Sequence, residues 1–150
     1  MICITGVPGT GKTTVSGILA VMGYSVCDAA EIAASSGCLK GGEVDIGCLR
    51  SKGHFSECDA VQSHFSHLLD CTIAVILETE ASVLEQRMVR RGYSGDKIRE
   101  NIDAQLSGTL YYEALEHLPS GRIHVIDTTD TKPDSVADQI SRLIESDRKK

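Results

Sequence analysis

Short apolar runs alternate with longer amphipathic segments along the whole chain, and this alternation predicts the fold. Five of the short runs predict strands. The predicted strands are residues 2–5, 24–27, 56–62, 72–78 and 122–126. The fourth run is almost wholly apolar, which is typical of a central strand covered on both faces. Strands that alternate with helices predict an α/β fold with a parallel sheet.

The segments between these runs carry apolar residues at three- and four-residue steps, which predicts helices packed on the sheet. The predicted helices begin near residues 14, 29, 80, 96 and 132, and the fourth extends to about residue 117. Residues 37–53 are different, because they contain five glycines and few apolar anchors. They predict a mobile excursion rather than a core element.

Composition narrows the class of protein. A chain of 150 residues with 41% hydrophobic and 24% charged residues predicts one globular domain spanning residues 1–150. A net charge of −6 and the absence of Trp argue against non-specific nucleic-acid binding, and we expect no direct DNA binding. No signal peptide or membrane span is recognisable, so we expect a cytoplasmic protein with no membrane partner.

Six cysteines are spread through the first half of the chain: Cys3, Cys27, Cys38, Cys48, Cys58 and Cys71. None forms a C-x-x-C pair or a zinc-like pair with a histidine, so a structural metal site is not predicted. In a reducing compartment we expect free thiols that pack as small apolar groups. Cys38 and Cys48 lie in a looser segment, where oxidation in vitro is an open alternative.

Residues 6–13 have the sequence Gly-Val-Pro-Gly-Thr-Gly-Lys-Thr, which matches the phosphate-binding motif G-x-x-x-x-G-K-T. A chance glycine-rich turn is the alternative, but the predicted strand before the motif and helix after it favour nucleoside triphosphate binding. Backbone N–H groups of such a loop point at phosphate oxygens. Lys12 is expected to reach the β- and γ-phosphates, and the Thr13 hydroxyl to bind Mg²⁺.

Five of the fifteen Lys and Arg residues lie between positions 87 and 99. Arg87 and Arg91 are four residues apart, so they project from one face of the predicted helix. A solvated helix end is one explanation of this basic cluster. The phosphate loop favours the other, in which Arg87 and Arg91 neutralise a transferring phosphoryl group. Residues 91–95, with two glycines, predict a short flap over the phosphates.

Three segments together resemble the adenylate kinase isoenzyme 6 family, the short-lid branch that also occurs in archaea. They are residues 6–14, 63–69 and 90–102. The resemblance implies the α/β P-loop NTPase fold of nucleoside monophosphate kinases, with a five-stranded parallel sheet flanked by helices and a short lid. It places the monophosphate-binding region at about residues 28–51 and the lid at about 90–100.

The resemblance also implies roles for individual residues. The positions that match the family's ATP-phosphate contacts are Gly9, Gly11, Lys12, Thr13 and Thr14. Arg91 matches the lid arginine that contacts ATP, and residues 127–129 resemble the turn that passes near the adenine. The implied reaction is ATP + AMP = 2 ADP with Mg²⁺, accompanied by ATPase side activity. Several family members are implied to act in maturation of the small ribosomal subunit.

One position departs from the family. The resemblance implies an acidic residue that orients the magnesium shell, two positions before the histidine at the end of the third strand. Alignment on His64 puts Gln62 at this position, and an amide supplies no negative charge. Glu57 and Asp59 lie too early on the same predicted strand to substitute obviously. His64 is either a catalytic or water-positioning group or a polar cap at a strand end, and both interpretations stay open. We expect His67 to be a packing residue.

The sequence therefore predicts an ATP:AMP phosphotransferase whose candidate catalytic residues are Lys12, Arg87, Arg91 and His64. The alternative is an ATP-driven assembly factor for the small ribosomal subunit that binds a basic ribosomal protein, which an acidic surface would suit. CMP, UMP or a non-nucleotide alcohol also stay open as acceptors.

Overall fold

A five-stranded, all-parallel sheet forms the centre of the structure, a computed structural model that describes residues 1–150. Its strands are β1 (Ile2–Thr5), β2 (Val26–Asp28), β5 (Ala60–Gln62), β6 (Ile73–Glu78) and β7 (Ile123–Asp127), in the spatial order β2-β5-β1-β6-β7. Two short strands, β3 (Leu39–Lys40) and β4 (Glu43–Val44), form a separate antiparallel hairpin. The predicted fold class is confirmed.

Seven helices connect and cover the strands. They are α1 (Lys12–Val21), α2 (Ala29–Ser35), α3 (Ile46–Lys52), α4 (Ala81–Arg90), α5 (Gly95–Leu106), α6 (Thr109–Leu115) and α7 (Pro133–Arg148). None of them combines the length and apolar character needed to cross a membrane. Because all five sheet strands are parallel, their carboxyl ends lie along one edge, and the loop from β1 to α1 starts there.

The alternation of side chains along β1 divides the core between the two faces of the sheet. Ile2 and Ile4 point to the face covered by α1 and α7, where thirteen buried apolar residues form the largest cluster. Cys3 points to the opposite face and joins an eight-residue cluster that includes residues of α2 and α3. Smaller clusters pack α4 and α5 on Val7, and α6 on Ala74 and Ile76.

Three sequence predictions about local structure are corrected. The strand predicted over 56–62 is formed only by β5, because the residues before it make a turn. The helix predicted over 96–117 is divided between α5 and α6, where Gly108 takes a left-handed φ of 69°. Residues 37–53 are folded rather than a mobile excursion, since they form the β3–β4 hairpin and α3, and Leu49 is fully buried.

The prediction of free thiols is wrong, because all six cysteines are paired. The disulfides are Cys3–Cys71, Cys27–Cys58 and Cys38–Cys48. Their Cα atoms lie 5.8, 5.8 and 5.5 Å apart, within the range that a disulfide spans. The first two pairs are 68 and 31 residues apart in the chain, so tertiary folding brings them together, whereas the third pair is 10 residues apart and flanks the β3–β4 hairpin.

Candidate functional site

The loop that connects β1 to α1 has a backbone shape that requires glycine. Gly6 has a φ of 156°, and a Cβ atom there would lie 2.5 Å from Thr10 Oγ1 and 2.8 Å from the Leu77 carbonyl oxygen. Gly11 has a φ of 97° and directly precedes α1. The Thr10 hydroxyl donates to the Val7 carbonyl at 2.9 Å and closes the turn. The loop therefore has the tight form in which backbone amides surround a phosphate.

Lys12, the first residue of α1, folds back over this loop. Its Nζ donates to the carbonyl oxygens of Gly6 at 2.7 Å and of Val7 at 3.1 Å. Burial, together with the positive charge of Arg91, lowers the pKa of Lys12 to about 8. The ammonium is thus held at the loop by neutral oxygens, and an anionic ligand there would be a stronger partner.

Arg87 contacts the loop from α4, on whose inner face Leu84 and Met88 also lie. Leu84 and Met88 are fully buried and fix the orientation of the helix. The Arg87 Nη1 donates to the Gly9 carbonyl at 2.6 Å. One N–H of the guanidinium is therefore used to hold the loop, while other N–H groups of the fork are available to a ligand.

Thr128, in the turn after β7, holds the far side of the same loop. Its hydroxyl contacts the carbonyl oxygens of Thr10 at 2.9 Å and Glu78 at 3.1 Å and the Thr79 hydroxyl at 2.7 Å. Gln105 of α5 completes this network, because its amide both donates to and accepts from the backbone of Thr79. This network thus links the phosphate loop to the turn after β7, to the end of β6 and to α5.

Sequence reasoning did not identify Gln105 or Thr79 as part of the site. Neither belongs to a spacing motif, and a polar residue near the end of an exposed helix gives no signal of an internal contact. Thr128 was included only within the turn expected near the adenine.

Two cavities adjoin the loop. The first has a volume of about 180 Å³ and extends from Arg87 along the loop to Thr128 and Pro133. The second has a volume of about 220 Å³ and is bordered by Lys12, Thr13 and His64 among others. The residues that border both cavities are Gly9, Gly11, Thr14 and Arg91. All the residues predicted to contact ATP phosphates therefore lie at one connected site.

His64 borders the second cavity, with Tyr93 of the predicted flap on the same rim. Partial desolvation of the ring and the positive charge of Lys12 lower the pKa of His64. A neutral imidazole at this place can accept or donate a proton or hold a water molecule. His67 is different, because it is buried and bonded to Thr5 and Glu113.

The basic cluster divides into two groups. Arg87 and Arg91 line the cavities next to the loop, whereas Arg90, Lys97 and Arg99 border neither of them. Lys97 pairs with Glu100, and Arg99 with Asp96, along the surface of α5. The surface pairs of Lys97 and Arg99 are typical of a solvated helix, while Arg87 and Arg91 lie where the predicted phosphate contacts would be made.

Gln62 ends β5 and donates from Nε2 to Asp28 Oδ2 at 3.1 Å. No group of three or more His, Cys, Asp or Glu side chains is arranged to hold a metal ion. Any divalent cation here would depend on ligand oxygens in addition to those of the protein.

The parallel sheet and the phosphate loop define a P-loop nucleotide-binding domain. A family model described as "AAA domain" matches residues 2–108. Solved structures agree on the fold. A shikimate kinase from Acinetobacter baumannii superposes with a TM-score of 0.63 at 23% identity, covering 99% of this chain and 94% of that one. The YorR protein from Bacillus subtilis superposes with a TM-score of 0.62 at 19% identity, covering 99% and 98%.

Relatives found by sequence identify the family, whereas the solved structures identify only the fold. A Thermoplasma acidophilum protein named "Putative adenylate kinase" is 47% identical over 87% of this chain and 88% of its own length. A protein of the same name from Thermoplasma volcanium is 44% identical over 97% of this chain and 95% of its own length. Another from Archaeoglobus fulgidus is 34% identical over 99% of this chain and 84% of its own length. The chain belongs to this family of archaeal adenylate kinase-like proteins, which confirms the resemblance found in the sequence.

Proposed function

We propose that this protein is a nucleoside monophosphate kinase that transfers the γ-phosphoryl group of ATP to AMP. The observation that carries the proposal is the position of Arg91, the one charged residue that borders both cavities next to the phosphate loop. Phosphoryl transfer between two nucleotides needs a cation next to the group that moves from one side to the other. The name of the family's archaeal members supports AMP as the acceptor.

ATP is the proposed donor, with its triphosphate along the loop. The first cavity leads from the loop toward Thr128, Pro133 and Val136, which offer space and an apolar wall for the base. Loop amides and Lys12 bind the β- and γ-phosphates, and Lys12 exchanges its bonds to the Gly6 and Val7 carbonyls for bonds to phosphate oxygens.

Mg²⁺ is the proposed cofactor, and the residues present fit it. Thr13 stands at the start of α1 with an exposed side chain on the border of the second cavity. Because the protein offers no cluster of three or more metal-ligating side chains, phosphate oxygens and water would complete the coordination. The ion supplies charge neutralisation at the phosphates when bound.

Arg87 and Arg91 have different proposed roles. Arg87 stabilises the loop through the Gly9 carbonyl and adds positive charge beside the donor phosphates. Arg91 is exposed at the end of α4, so it is free to follow the transferred group. His64, on the rim of the second cavity, is proposed to position a water molecule or the acceptor phosphate. Transfer needs no covalent enzyme intermediate, because positioning and charge stabilisation are sufficient.

The acceptor is proposed to bind against about residues 28–51. This part of the chain contains α2, the β3–β4 hairpin and α3, and it flanks the carboxyl ends of β2 and β5. Its side chains do not by themselves distinguish AMP from CMP or UMP.

A coupled assay with ATP and a panel of nucleoside monophosphates tests the proposal. We expect AMP to be phosphorylated well above the rate of ATP hydrolysis without acceptor. If no monophosphate is phosphorylated above that rate, the kinase proposal is wrong.

Two arginine variants sharpen this assay. Arg91→Ala is expected to lower kcat by about 10²–10³-fold, the effect of losing a preorganised group that faces developing charge. Arg99→Ala is the matched control, because Arg99 is exposed and paired only with Asp96. Equal effects at both positions would contradict the role proposed for Arg91.

The second candidate is an ATPase that assists small-subunit assembly, for which the net charge of −6 would favour a basic ribosomal protein as partner. Affinity purification from native lysate, with and without ATP, tests it. A stoichiometric basic partner that ATP releases would support this role. Rapid AMP phosphorylation with no such partner would contradict it.

A further inference from the structure

Asp28 and Gln62 lie side by side at the carboxyl edge of the sheet. They end β2 and β5, and the strand register places them directly opposite each other. The next strand is β1, with Ile4 opposite Gln62, and β1 leads directly into the phosphate loop. The pair is therefore at the edge of the sheet where ligands of parallel α/β proteins bind.

The contacts of Asp28 hold its carboxylate in one orientation. Its Oδ1 accepts from the N–H groups of Ala30 at 2.8 Å and Glu31 at 3.3 Å, which caps α2. Its Oδ2 accepts from Gln62 Nε2 at 3.1 Å. All three partners are neutral amides, so no neighbouring cation compensates the charge. Such a carboxylate oxygen has capacity for a further donor.

The other acidic residues near these strands are unsuitable for the same place. Asp59 precedes β5, so it lies at the opposite edge of the sheet, where it accepts from the Ser25 N–H and pairs with Arg148. Glu78 ends β6 at the carboxyl edge, but it borders a small separate cavity with Gln105 and Tyr111.

We propose that Asp28 supplies the negative charge that Gln62 lacks, by accepting hydrogen bonds from water bound to the magnesium ion of the nucleotide. Gln62 is then a positioning residue, whose amide N–H group orients the carboxylate of Asp28. In this chain the carboxylate is therefore at the end of β2 rather than at the end of β5, and one hydrogen bond joins the two positions. This inference rests on the proposed function.

Metal affinity rather than turnover gives the direct test. Mn²⁺ binding would be measured by electron paramagnetic resonance in the presence of β,γ-methylene-ATP, which cannot be hydrolysed. Asp28→Asn removes the charge but keeps a good helix cap. We expect it to weaken Mn²⁺ binding to the protein–nucleotide complex by about 10–100-fold, the range found when groups that orient metal ligands are removed. Nucleotide affinity without metal should not change.

Asp45→Asn is the control, because Asp45 also caps a helix, α3, but pairs with Lys40 and ends no strand of the parallel sheet. Its Mn²⁺ affinity should equal that of the unmodified protein. The exchange variant Asp28→Asn with Gln62→Glu returns the carboxylate to the end of β5. It should recover Mn²⁺ affinity to within a few-fold.

The outcomes separate this inference from the proposed function. If the unmodified protein binds Mn²⁺ and nucleotide together but Asp28→Asn binds them equally well, the role of Asp28 is wrong. A loss of nucleotide affinity in Asp28→Asn that persists in EDTA would also overturn it, because the defect would not concern the metal. If the unmodified protein forms no complex with Mn²⁺ and nucleotide, the proposed function itself fails.

Discussion

The two faces of the central sheet are stabilised in different ways. The face covered by α1 and α7 has a core of thirteen buried apolar residues and contains no cysteine. On the opposite face, the core beneath α2 and α3 has eight buried residues, and all six cysteines lie in it or against it. One sheet therefore combines an apolar core on one side with a disulfide-linked core on the other.

Helix length explains the difference. The helices α1 and α7 have 10 and 16 residues and present long apolar stripes to the sheet. In contrast, α2 and α3 have 7 residues each, and the hairpin between them has two residues per strand. Short elements bury little apolar surface, and covalent links that restrict the unfolded chain can provide the missing stability.

Loss of the Cys3–Cys71 disulfide should have the largest effect on stability. The two residues are 68 positions apart, and closing a loop of that length is worth about 4 kcal/mol in the chain-entropy model. We expect Cys3→Ala with Cys71→Ala to lower the free energy of unfolding by about this amount in urea titrations without reductant. In excess dithiothreitol, which reduces the disulfides, the free energies of unfolding of the variant and the parent should differ little. A decrease of less than about 1 kcal/mol in the free energy of unfolding would mean that the core beneath α2 and α3 does not depend on the Cys3–Cys71 disulfide.

A cavity in the opposite core should have a similar but slightly smaller effect. Ile140 of α7 is fully buried, and truncation of such a residue to Ala costs about 2–5 kcal/mol. We expect Ile140→Ala to cost about 3 kcal/mol. The cost should be the same with and without dithiothreitol, because no cysteine lies in that core. A strong dependence on reductant would show that the two faces are energetically coupled.

The Cys38–Cys48 disulfide should matter less for global stability and more for the acceptor. It closes a segment of only 10 positions, worth about 2–3 kcal/mol. That segment contains the hairpin, in which Asp45 N–H donates to the Cys38 carbonyl at 2.8 Å. We expect Cys38→Ala with Cys48→Ala to raise KM for AMP several-fold while KM for ATP stays constant. Equal changes in both KM values would contradict a local role.

The main features of the fold were predictable because their signals are local. The phosphate loop is one continuous motif, and the strand before it and the helix after it are adjacent in the chain. The apolar runs of β1 and β6 also identify buried strands of the sheet directly. Arg87 and Arg91 border the same cavity, as the four-residue spacing on one helical face predicts, although α4 itself ends at Arg90.

The remaining features depend on contacts between distant residues. The hydrogen bond between Asp28 and Gln62 joins positions 34 residues apart and follows from strand register, which a single sequence does not specify. Two of the disulfides have the same origin, because neighbouring parallel strands and the loops before them bring together Cys3 with Cys71 and Cys27 with Cys58. Residues 37–53 looked mobile from their glycine content, yet burial of Leu49 and the Cys38–Cys48 link fold them.

Protonation of His67 at acidic pH should destabilise the face of the sheet that carries the disulfides. This is the smallest of the four effects predicted for the two faces. Thr5 and Cys3 point to the same face of β1, and His67 lies buried beside Thr5. Its Nδ1 is 3.0 Å from Thr5 Oγ1, and its Nε2 is 3.1 Å from Glu113 Oε1. A neutral ring satisfies both contacts, with one nitrogen accepting and the other donating.

Burial lowers the pKa of His67, although the Glu113 carboxylate acts in the opposite direction. The unfolded chain, with a histidine pKa of about 6.5, therefore binds a proton before the folded protein does. The neutral His67 ring therefore contributes its full stabilisation above a pH of about 6.5, and this contribution decreases as the pH falls below that value. We expect the parent to lose more stability than His67→Gln between pH 7 and pH 5.5, measured by urea unfolding at each pH. Parallel losses in the two proteins would show that His67 is not protonated on unfolding, and the acid sensitivity of this face would then have another source.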